Sequence, residues 1–169
     1  DLVAIDYCGQ PLPNGPLGHE RRPSSEWRLH ADVFADRPDA MAVLHCHPIH
    51  ATALACHDRG IPPFHYMTAV AGGDDIRCAP YATFGTAELS AHTVQALRDR
   101  QACLLAHHGL VSLGRDLDQA LKIAVEVETL AQMYLQALQL GEPALLSAAQ
   151  MQEVHRQFRG LGYGQASKD

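Results

Sequence analysis

Apolar residues recur along this chain with two different spacings. A spacing of three to four residues, typical of one buried helix face, predicts five helices. These helices are expected at residues 24–37, 48–60, 86–100, 116–140 and 147–158. Short continuous apolar runs predict strands at residues 2–5, 41–45 and 102–114, the last divided by a His-His-Gly corner. Because helices and strands alternate, we expect one layered α/β domain.

Residues with strong positional preferences refine this outline. Ser24 or Ser25 is expected to cap the first helix, with Glu26 as an acidic residue in its first turn. The Gly- and Pro-rich residues 7–23 are expected to form turns, and residues 61–85 short strands and loops. One apolar face is predicted along the longest helix. Its members are Leu117, Leu121, Ala124, Val127, Ala131, Tyr134 and Leu138.

Composition narrows the class of protein. The 169 residues suit a single domain over residues 1–169, and 47% apolar with 19% charged residues argues against disorder. A net charge of −6 disfavours nucleic acid as a partner. No apolar run reaches the roughly 20 residues of a membrane helix. Five scattered cysteines without a CxxC pair favour a reducing, cytoplasmic compartment.

The segment VLHCHPIH, residues 43–50, places two histidines at the end of a predicted strand. On an extended chain, His45 and His47 share one face, so both imidazoles can reach one metal ion. Catalytic zinc sites commonly combine three protein ligands with one open position. The alternative is that one histidine is a core residue and the other lies at the surface.

A second histidine pair ends the apolar run LLAHHGL, residues 104–110. His107 and His108 are adjacent, so they point to opposite faces and only one of them can join a shared site. Gly109 suggests a positive φ angle or a close backbone approach. The alternative is that both histidines are merely hydrogen-bonded at a turn.

Glu26 is the third candidate, at the start of the first predicted helix. Its carboxylate suits a fourth metal ligand or a proton carrier, or it simply stabilises the helix N-terminus. Ser24 and Ser25, with backbone N–H groups around them, suit a phosphate group. Plain capping is the alternative for both serines.

Four segments together resemble the class II aldolase/adducin family, and within it the members that cleave L-fuculose 1-phosphate. The segments are PSSEWRLH, VLHCHPIHATALA, IPPFHYMTAVAGGDDIRCAPYATFGTAELS and LLAHHGL. The likeness covers nearly the whole chain. It implies a three-layer α/β/α sandwich with a central, mostly antiparallel sheet, and a homotetramer with active sites between subunits.

The resemblance also implies one Zn²⁺ per subunit, bound by His45, His47, His108 and Glu26. Mn²⁺, Co²⁺ and Fe²⁺ remain alternatives, although a His-rich site suits zinc. Glu26 is further implied as the catalytic acid and base.

Other roles follow from the same resemblance. Tyr66 is implied as the catalytic residue for the neighbouring subunit's site, Ser24 and Ser25 as phosphate ligands, and Phe84 as a wall of the aldehyde pocket. On the expected strand, His65 would point away from Tyr66. Family members carry an earlier N-terminal segment whose glycine-rich turns complete the phosphate pocket, and this chain is expected to lack it.

The implied function is retro-aldol cleavage of a sugar 1-phosphate, similar to L-fuculose 1-phosphate, into dihydroxyacetone phosphate and a short aldehyde. Alternatives on the same metal site are a ribulose-phosphate 4-epimerase and a methylthioribulose-phosphate dehydratase. A non-catalytic, adducin-like assembly module is the alternative of a different class. The combination of SSEW and HYM favours the aldolase.

Overall fold

The computed structural model describes residues 2–12 and 22–161, and it contains one sheet between helical layers. The helices are α1 (Trp27–Asp36), α2 (Ile49–Ala55), α3 (Ala87–Ala96), α4 (Leu117–Leu138) and α5 (Ala148–Gly160), with a 3-10 helix at Tyr66–Ala71. The strands are β1 (Ala42–Cys46), β2 (Arg77–Ala79), β3 (Ala102–Leu105) and β4 (Gly109–Gly114).

The sheet has the order β1-β4-β3-β2. Strand β4 runs antiparallel to both of its neighbours, and only β2 and β3 are parallel. The expectation of a mostly antiparallel sheet is therefore confirmed. In the register of β1 and β4, Cys46 lies opposite Leu110. This pairing brings the end of β1 beside the corner that joins β3 to β4.

Alternating residues of the central strands divide the core in two. Ala102, Leu104 and Leu110 pack with residues of α2 and α4 on one face of the sheet. Cys103 and Val111 pack with residues of α1 and α3 on the other face. Two helical layers therefore enclose one sheet, as expected for a three-layer α/β/α sandwich.

Helix α4 buries a different face from the one predicted at its N-terminal end. Leu117 and Leu121 were expected in the core, yet they are 73% and 53% exposed. Ala120 is fully buried instead, and the helix backbone lies so close to β4 that a Cβ on Gly114 would be 2.5 Å from the Ala120 nitrogen. Apolar residues occur on both faces of these turns, so spacing alone does not identify the buried one. No helix in the described residues has the length and apolar character to cross a membrane.

The predicted strand at residues 2–5 is also wrong, because the chain reverses direction immediately after it. The Oδ1 atom of Asp6 accepts N–H groups from Cys8 and Gln10, and Gly9 adopts a φ of 77°. Only an isolated bridge between Ile5 and Pro11 remains. Most of the predicted turn segment, residues 13–21, lies outside the described residues.

Residues 61–85 contain the short strand β2 and an isolated bridge between Ile61 and Ile76, as expected. Tyr66, however, begins a 3-10 helix rather than lying on a strand. The cause is local, since the His65 side chain accepts the N–H of Met67 at 3.3 Å and caps this helix.

Candidate metal centre

Strand β1 points His45 toward the α1 side of the sheet, where Val43 also packs. Cys46, between the two histidines, packs against the opposite core cluster, as the alternation predicts. The Nδ1 atom of His45 lies 3.0 Å from the carbonyl oxygen of Leu110. A carbonyl only accepts, so Nδ1 carries the hydrogen and the lone pair of the neutral ring is on Nε2.

The corner between β3 and β4 brings His108 to the same place. Its ring centroid lies 4.8 Å from that of His45 and 5.0 Å from that of His47. His107 makes this turn with a φ of 54°, and its N–H donates to Ala55 at 3.0 Å.

The side chain of His107 points away from this cluster. Its Nε2 atom lies 3.7 Å from Asp58, and its ring makes an edge contact with Tyr81 at 6.0 Å. Only one histidine of the adjacent pair therefore joins the cluster.

Gly109 is required by a close approach rather than by a positive φ angle. A Cβ at this position would lie 2.5 Å from the carbonyl oxygen of Cys46 and 2.6 Å from Cδ2 of His47. Both distances are shorter than a real side chain tolerates. The absent side chain thus lets the two histidine-bearing segments meet.

Glu26 occupies a different position from the one predicted at the start of α1. It is itself the N-cap residue and its side chain makes no capping bond, whereas Ser24 Oγ accepts the Glu26 N–H at 3.2 Å. Its carboxylate faces the histidines, with Oε2 3.1 Å from Nε2 of His45 and Oε1 3.2 Å from Nε2 of His108. The contacts with the two histidines, and not the dipole of α1, therefore orient the Glu26 side chain.

The geometry of the four residues fits a cation. One potential ligand atom from each of Glu26, His45, His47 and His108 lies within 4.8 Å of all the others. The Nε2 atoms of His45 and His47 are 3.1 Å apart. Glu26 Oε1 is buried and accepts no hydrogen bond from the described residues, although the His108 nitrogen is close. The ring nitrogens and the carboxylate oxygens therefore bring together more lone pairs than there are hydrogens to bond them. Three imidazoles with one carboxylate suit zinc.

Burial keeps part of this cluster in its ligand form. Desolvation lowers the pKa of His108 below its ordinary value. The neutral imidazole, which is the form that binds a metal, therefore persists to lower pH.

His30 lies behind the cluster and was not singled out in the sequence. Burial lowers its pKa, and its ring hydrogen-bonds the backbone of Val43 and interacts with His45 and Glu26. His30 on α1 follows the N-cap residue Glu26 by four residues, about one helical turn, so the two lie on the same side of the helix start. That spacing is the signal that points to it.

Tyr66 and Phe84 lie at the surface of the chain. Tyr66 is 49% exposed, and its ring lies 4.7 Å from that of His65 and 6.5 Å from that of Phe158. The expectation that His65 points away from Tyr66 is therefore wrong, and the 3-10 helix is the reason. Phe84 is 65% exposed.

Ser24 and Ser25 are both exposed at the entrance to α1. Gly85 adopts a φ of 75°, and a Cβ there would lie 2.9 Å from the carbonyl oxygen of Ser25. The segment that carries Phe84 therefore lies beside the serine pair.

The cysteines offer no activated thiol in this region. All five are free, and burial raises the pKa of Cys46 and brings that of Cys78 to about 11. Neither residue has the lowered pKa that a nucleophilic thiolate requires.

Two kinds of sequence comparison place this chain among known proteins. The family described as "Class II Aldolase and Adducin N-terminal domain" matches residues 1–135. A 5-methylthioribulose-1-phosphate/5-deoxyribulose-1-phosphate aldolase of Rhodospirillum rubrum is 53% identical over 162 residues, which cover 96% of this chain and 71% of the relative. The L-fuculose phosphate aldolase of Escherichia coli K12 is 49% identical over 150 residues, covering 88% and 70%.

The fold comparison agrees with the sequence comparisons. A solved structure of an L-fuculose 1-phosphate aldolase superposes with a TM-score of 0.85 and 39% identity. The superposition covers 93% of this chain and 71% of the solved one.

Proposed function

The chain belongs to the class II aldolase and adducin family, and we propose that it is a metal-dependent aldolase that cleaves a ketose 1-phosphate. The products are dihydroxyacetone phosphate and a short aldehyde. The observation that carries this proposal is the convergence of Glu26, His45, His47 and His108 within 4.8 Å. An adducin-like assembly role would not require this set of ligands.

The proposed substrate class is supported by two relatives that are named for different substrates. One is named for 5-methylthioribulose 1-phosphate and 5-deoxyribulose 1-phosphate, and the other for L-fuculose phosphate. These are phosphorylated ketoses. Phe84 is exposed and precedes Gly85, whose backbone approaches Ser25, and we propose that its ring forms an apolar wall for the aldehyde end of the substrate. Both relatives are aldolases by name, which favours cleavage over the epimerase and dehydratase alternatives.

We expect zinc at the cluster, held by the three histidines and, in the resting enzyme, by Glu26. A divalent ion there would act as a Lewis acid that stabilises the negative charge developing on the substrate when the carbon–carbon bond breaks. Neutral imidazole ligands, favoured for His108 by its lowered pKa, leave the charge of such an ion uncompensated.

Glu26 has the position of the proton carrier. Its side chain is 13% exposed and its carboxylate lies between two imidazoles, so it can reach a substrate bound at the cluster. In cleavage it delivers a proton to the carbon that loses its bond, and in synthesis it removes that proton.

Tyr66 is proposed to receive the hydroxyl proton in the site of a neighbouring subunit. Its exposure in the single chain supports a role at a subunit boundary. Leu117, Leu121 and Val125 form an exposed apolar row on α4, which supports assembly into the proposed homotetramer.

Ser24 and Ser25 are proposed to contribute to binding of the substrate phosphate, because both residues are exposed next to the cluster residue Glu26. A soluble phosphorylated sugar also suits a cytoplasmic enzyme, without nucleic acid or membrane partners.

The test is product release by the zinc-loaded protein from L-fuculose 1-phosphate, 5-methylthioribulose 1-phosphate and 5-deoxyribulose 1-phosphate. A coupled assay follows dihydroxyacetone phosphate, and a second assay follows the aldehyde. Metal-loaded, folded protein that releases neither product from any of the three would contradict the proposal and favour an assembly module.

The variant Glu26→Gln tests the acid/base role separately. We expect retained metal and a loss of activity of about 10²- to 10⁴-fold. Glu88→Gln is the matched control, because Glu88 is an exposed acid in the first turn of α3. Normal turnover by Glu26→Gln would remove Glu26 from the mechanism.

A further inference from the structure

We propose that Glu128 is a positioning residue for the metal centre. It is not one of the proposed ligands but fixes the start of α2, and with it the junction between β1 and α2 in which His47 lies. This inference rests on the proposed metal centre and names a residue, remote in sequence, on which that centre depends.

Helix α2 begins two residues after His47 and has no cap of its own. Its N-cap residue is Pro48, which makes no side-chain capping bond. The N–H groups of a first helical turn have no partner within the helix, so they need an acceptor from elsewhere.

Glu128 supplies that acceptor from α4. Its Oε1 and Oε2 atoms lie 2.9 and 3.1 Å from the backbone nitrogen of His50, and Oε2 lies 2.9 Å from that of Ala51. One carboxylate thus binds two consecutive amides of the α2 first turn. A negative charge at a helix N-terminus is also favoured electrostatically.

The same carboxylate fixes the third histidine of VLHCHPIH. Nδ1 of His50 lies 2.7 Å from Oε1 of Glu128. An ionised carboxylate has only acceptors, so Nδ1 carries the hydrogen. His50 therefore belongs to this junction and not to the ligand cluster.

The position of Glu128 is itself fixed by the core. Its neighbours Val127 and Leu130 on α4 are fully buried. The Glu128 side chain is 26% exposed, so water screens its bonds only in part. The core under α4 therefore sets where α2 begins.

His47 is the ligand that depends most on this anchor. The His45 ring has its own bond to the Leu110 carbonyl, whereas the His47 ring makes its polar contact with the ring of His45. Two residues separate His47 from His50, and one of them is Pro48, whose φ is restricted. A shift of the α2 start is therefore transmitted to the His47 ring.

The test is metal affinity of Glu128→Gln, measured by competition with a chelator for Zn²⁺ and Co²⁺. Glutamine keeps the size but offers one acceptor oxygen and an NH₂ group that faces donors. We expect a folded variant whose dissociation constant is about 10- to 100-fold higher, the range typical for groups that orient metal ligands. The visible spectrum of bound Co²⁺ is expected to change as well.

Two further variants make this test specific. Glu126→Gln, two residues earlier on the same helix, is expected to keep wild-type affinity. His50→Ala removes the ring bond but leaves both amide bonds, so a smaller rise in the dissociation constant is expected.

A folded Glu128→Gln with a lower melting temperature but wild-type affinity and an unchanged Co²⁺ spectrum would overturn the positioning role, since capping alone would explain it. If Glu128→Gln fails to fold, wild-type affinity and spectrum in His50→Ala would overturn it. Wild-type protein that binds neither metal would instead overturn the metal centre and, with it, the proposed function.

Discussion

Two chain segments deliver the histidines, and they do so by different means. At the end of β1, His45 and His47 reach the cluster because alternate residues of a strand share one face. At the corner between β3 and β4, His108 reaches it because His107 turns the chain with a φ of 54°. The first segment uses regular structure and the second uses local strain.

The difference determines what each segment tolerates. A strand places its side chains through a whole ladder, here paired with β4 from Ala42 to Cys46. The corner depends on one residue in a sparsely populated conformation and on one missing side chain, at Gly109. We therefore expect substitutions that keep the polarity of a residue to reduce stability and metal binding more in the corner than in β1.

The largest expected effect separates the two histidines of the corner. His108→Ala is expected to lose stoichiometric zinc because it removes a converging nitrogen, and His45→Ala is expected to do the same at β1. His107→Asn is the matched control, since asparagine tolerates a positive φ and the ring of His108 is retained. Metal content by elemental analysis measures the result, and full zinc occupancy in His108→Ala would remove that residue from the ligand set.

Gly109→Ala tests the contact between the two segments. The added Cβ would meet the Cys46 carbonyl at 2.5 Å, and backbone cannot rotate away as a side chain can. We expect a loss of about 1–3 kcal/mol in the free energy of unfolding, measured with urea, together with weaker zinc binding. Gly160→Ala on α5, where nothing lies within 4 Å, is the control. Equal behaviour of both variants would show that the close approach is unimportant.

His107→Val compared with His107→Asn tests strain at the corner directly. A β-branched side chain is poorly accommodated at a φ of 54°, whereas asparagine is accepted there. The valine variant is expected to be less stable than the asparagine variant by about 1–2 kcal/mol. Urea unfolding of both metal-free proteins measures this difference. Unfolding curves with equal midpoints and equal slopes would show that the backbone at this residue is not strained.

The smallest expected effect is a pH dependence of stability that arises from His30, which lies close to His45 of β1. Burial lowers the pKa of His30, whose partners are Val43, His45 and Glu26. Below its ordinary value of about 6.5, the unfolded chain takes up a proton that the folded chain does not, so stability falls as the pH is lowered through this range.

His30→Gln is expected to reduce this fall in metal-free protein. Unfolding free energies at several pH values between 7.5 and 5.5 measure it. An unchanged slope would show that His30 contributes nothing to the pH dependence.

The sequence predicted most accurately the features that depend on the local spacing of apolar and polar residues. Strand β1 with His45, the position of His47 directly after it and the layered fold follow from alternation and apolar runs. The adjacency of His107 and His108 predicted that only one of them joins the cluster, although a turn at His107, and not strand alternation, separates the two side chains. The buried face of α4 was wrong at Leu117 and Leu121, because apolar residues occupy both faces of its first turns.

Other features depended on tertiary contacts that local patterns do not encode. Glu26 resembles a first-turn acid by position, but convergence with the histidines gives its side chain another direction. The bonds between Glu128 and His50 join residues 78 positions apart, so no local pattern marks them.

X-ray absorption spectroscopy of the zinc-loaded protein tests the central claim most directly. We predict one zinc per chain, with three imidazole nitrogens at about 2.0–2.1 Å and an oxygen ligand at about 2.0–2.2 Å. Loss of the stoichiometric zinc signal from His108→Ala, with the wild-type spectrum retained in His107→Asn, would support the contribution of the corner. A zinc ion bound through sulfur at about 2.3 Å, or no stoichiometric zinc, would contradict the account.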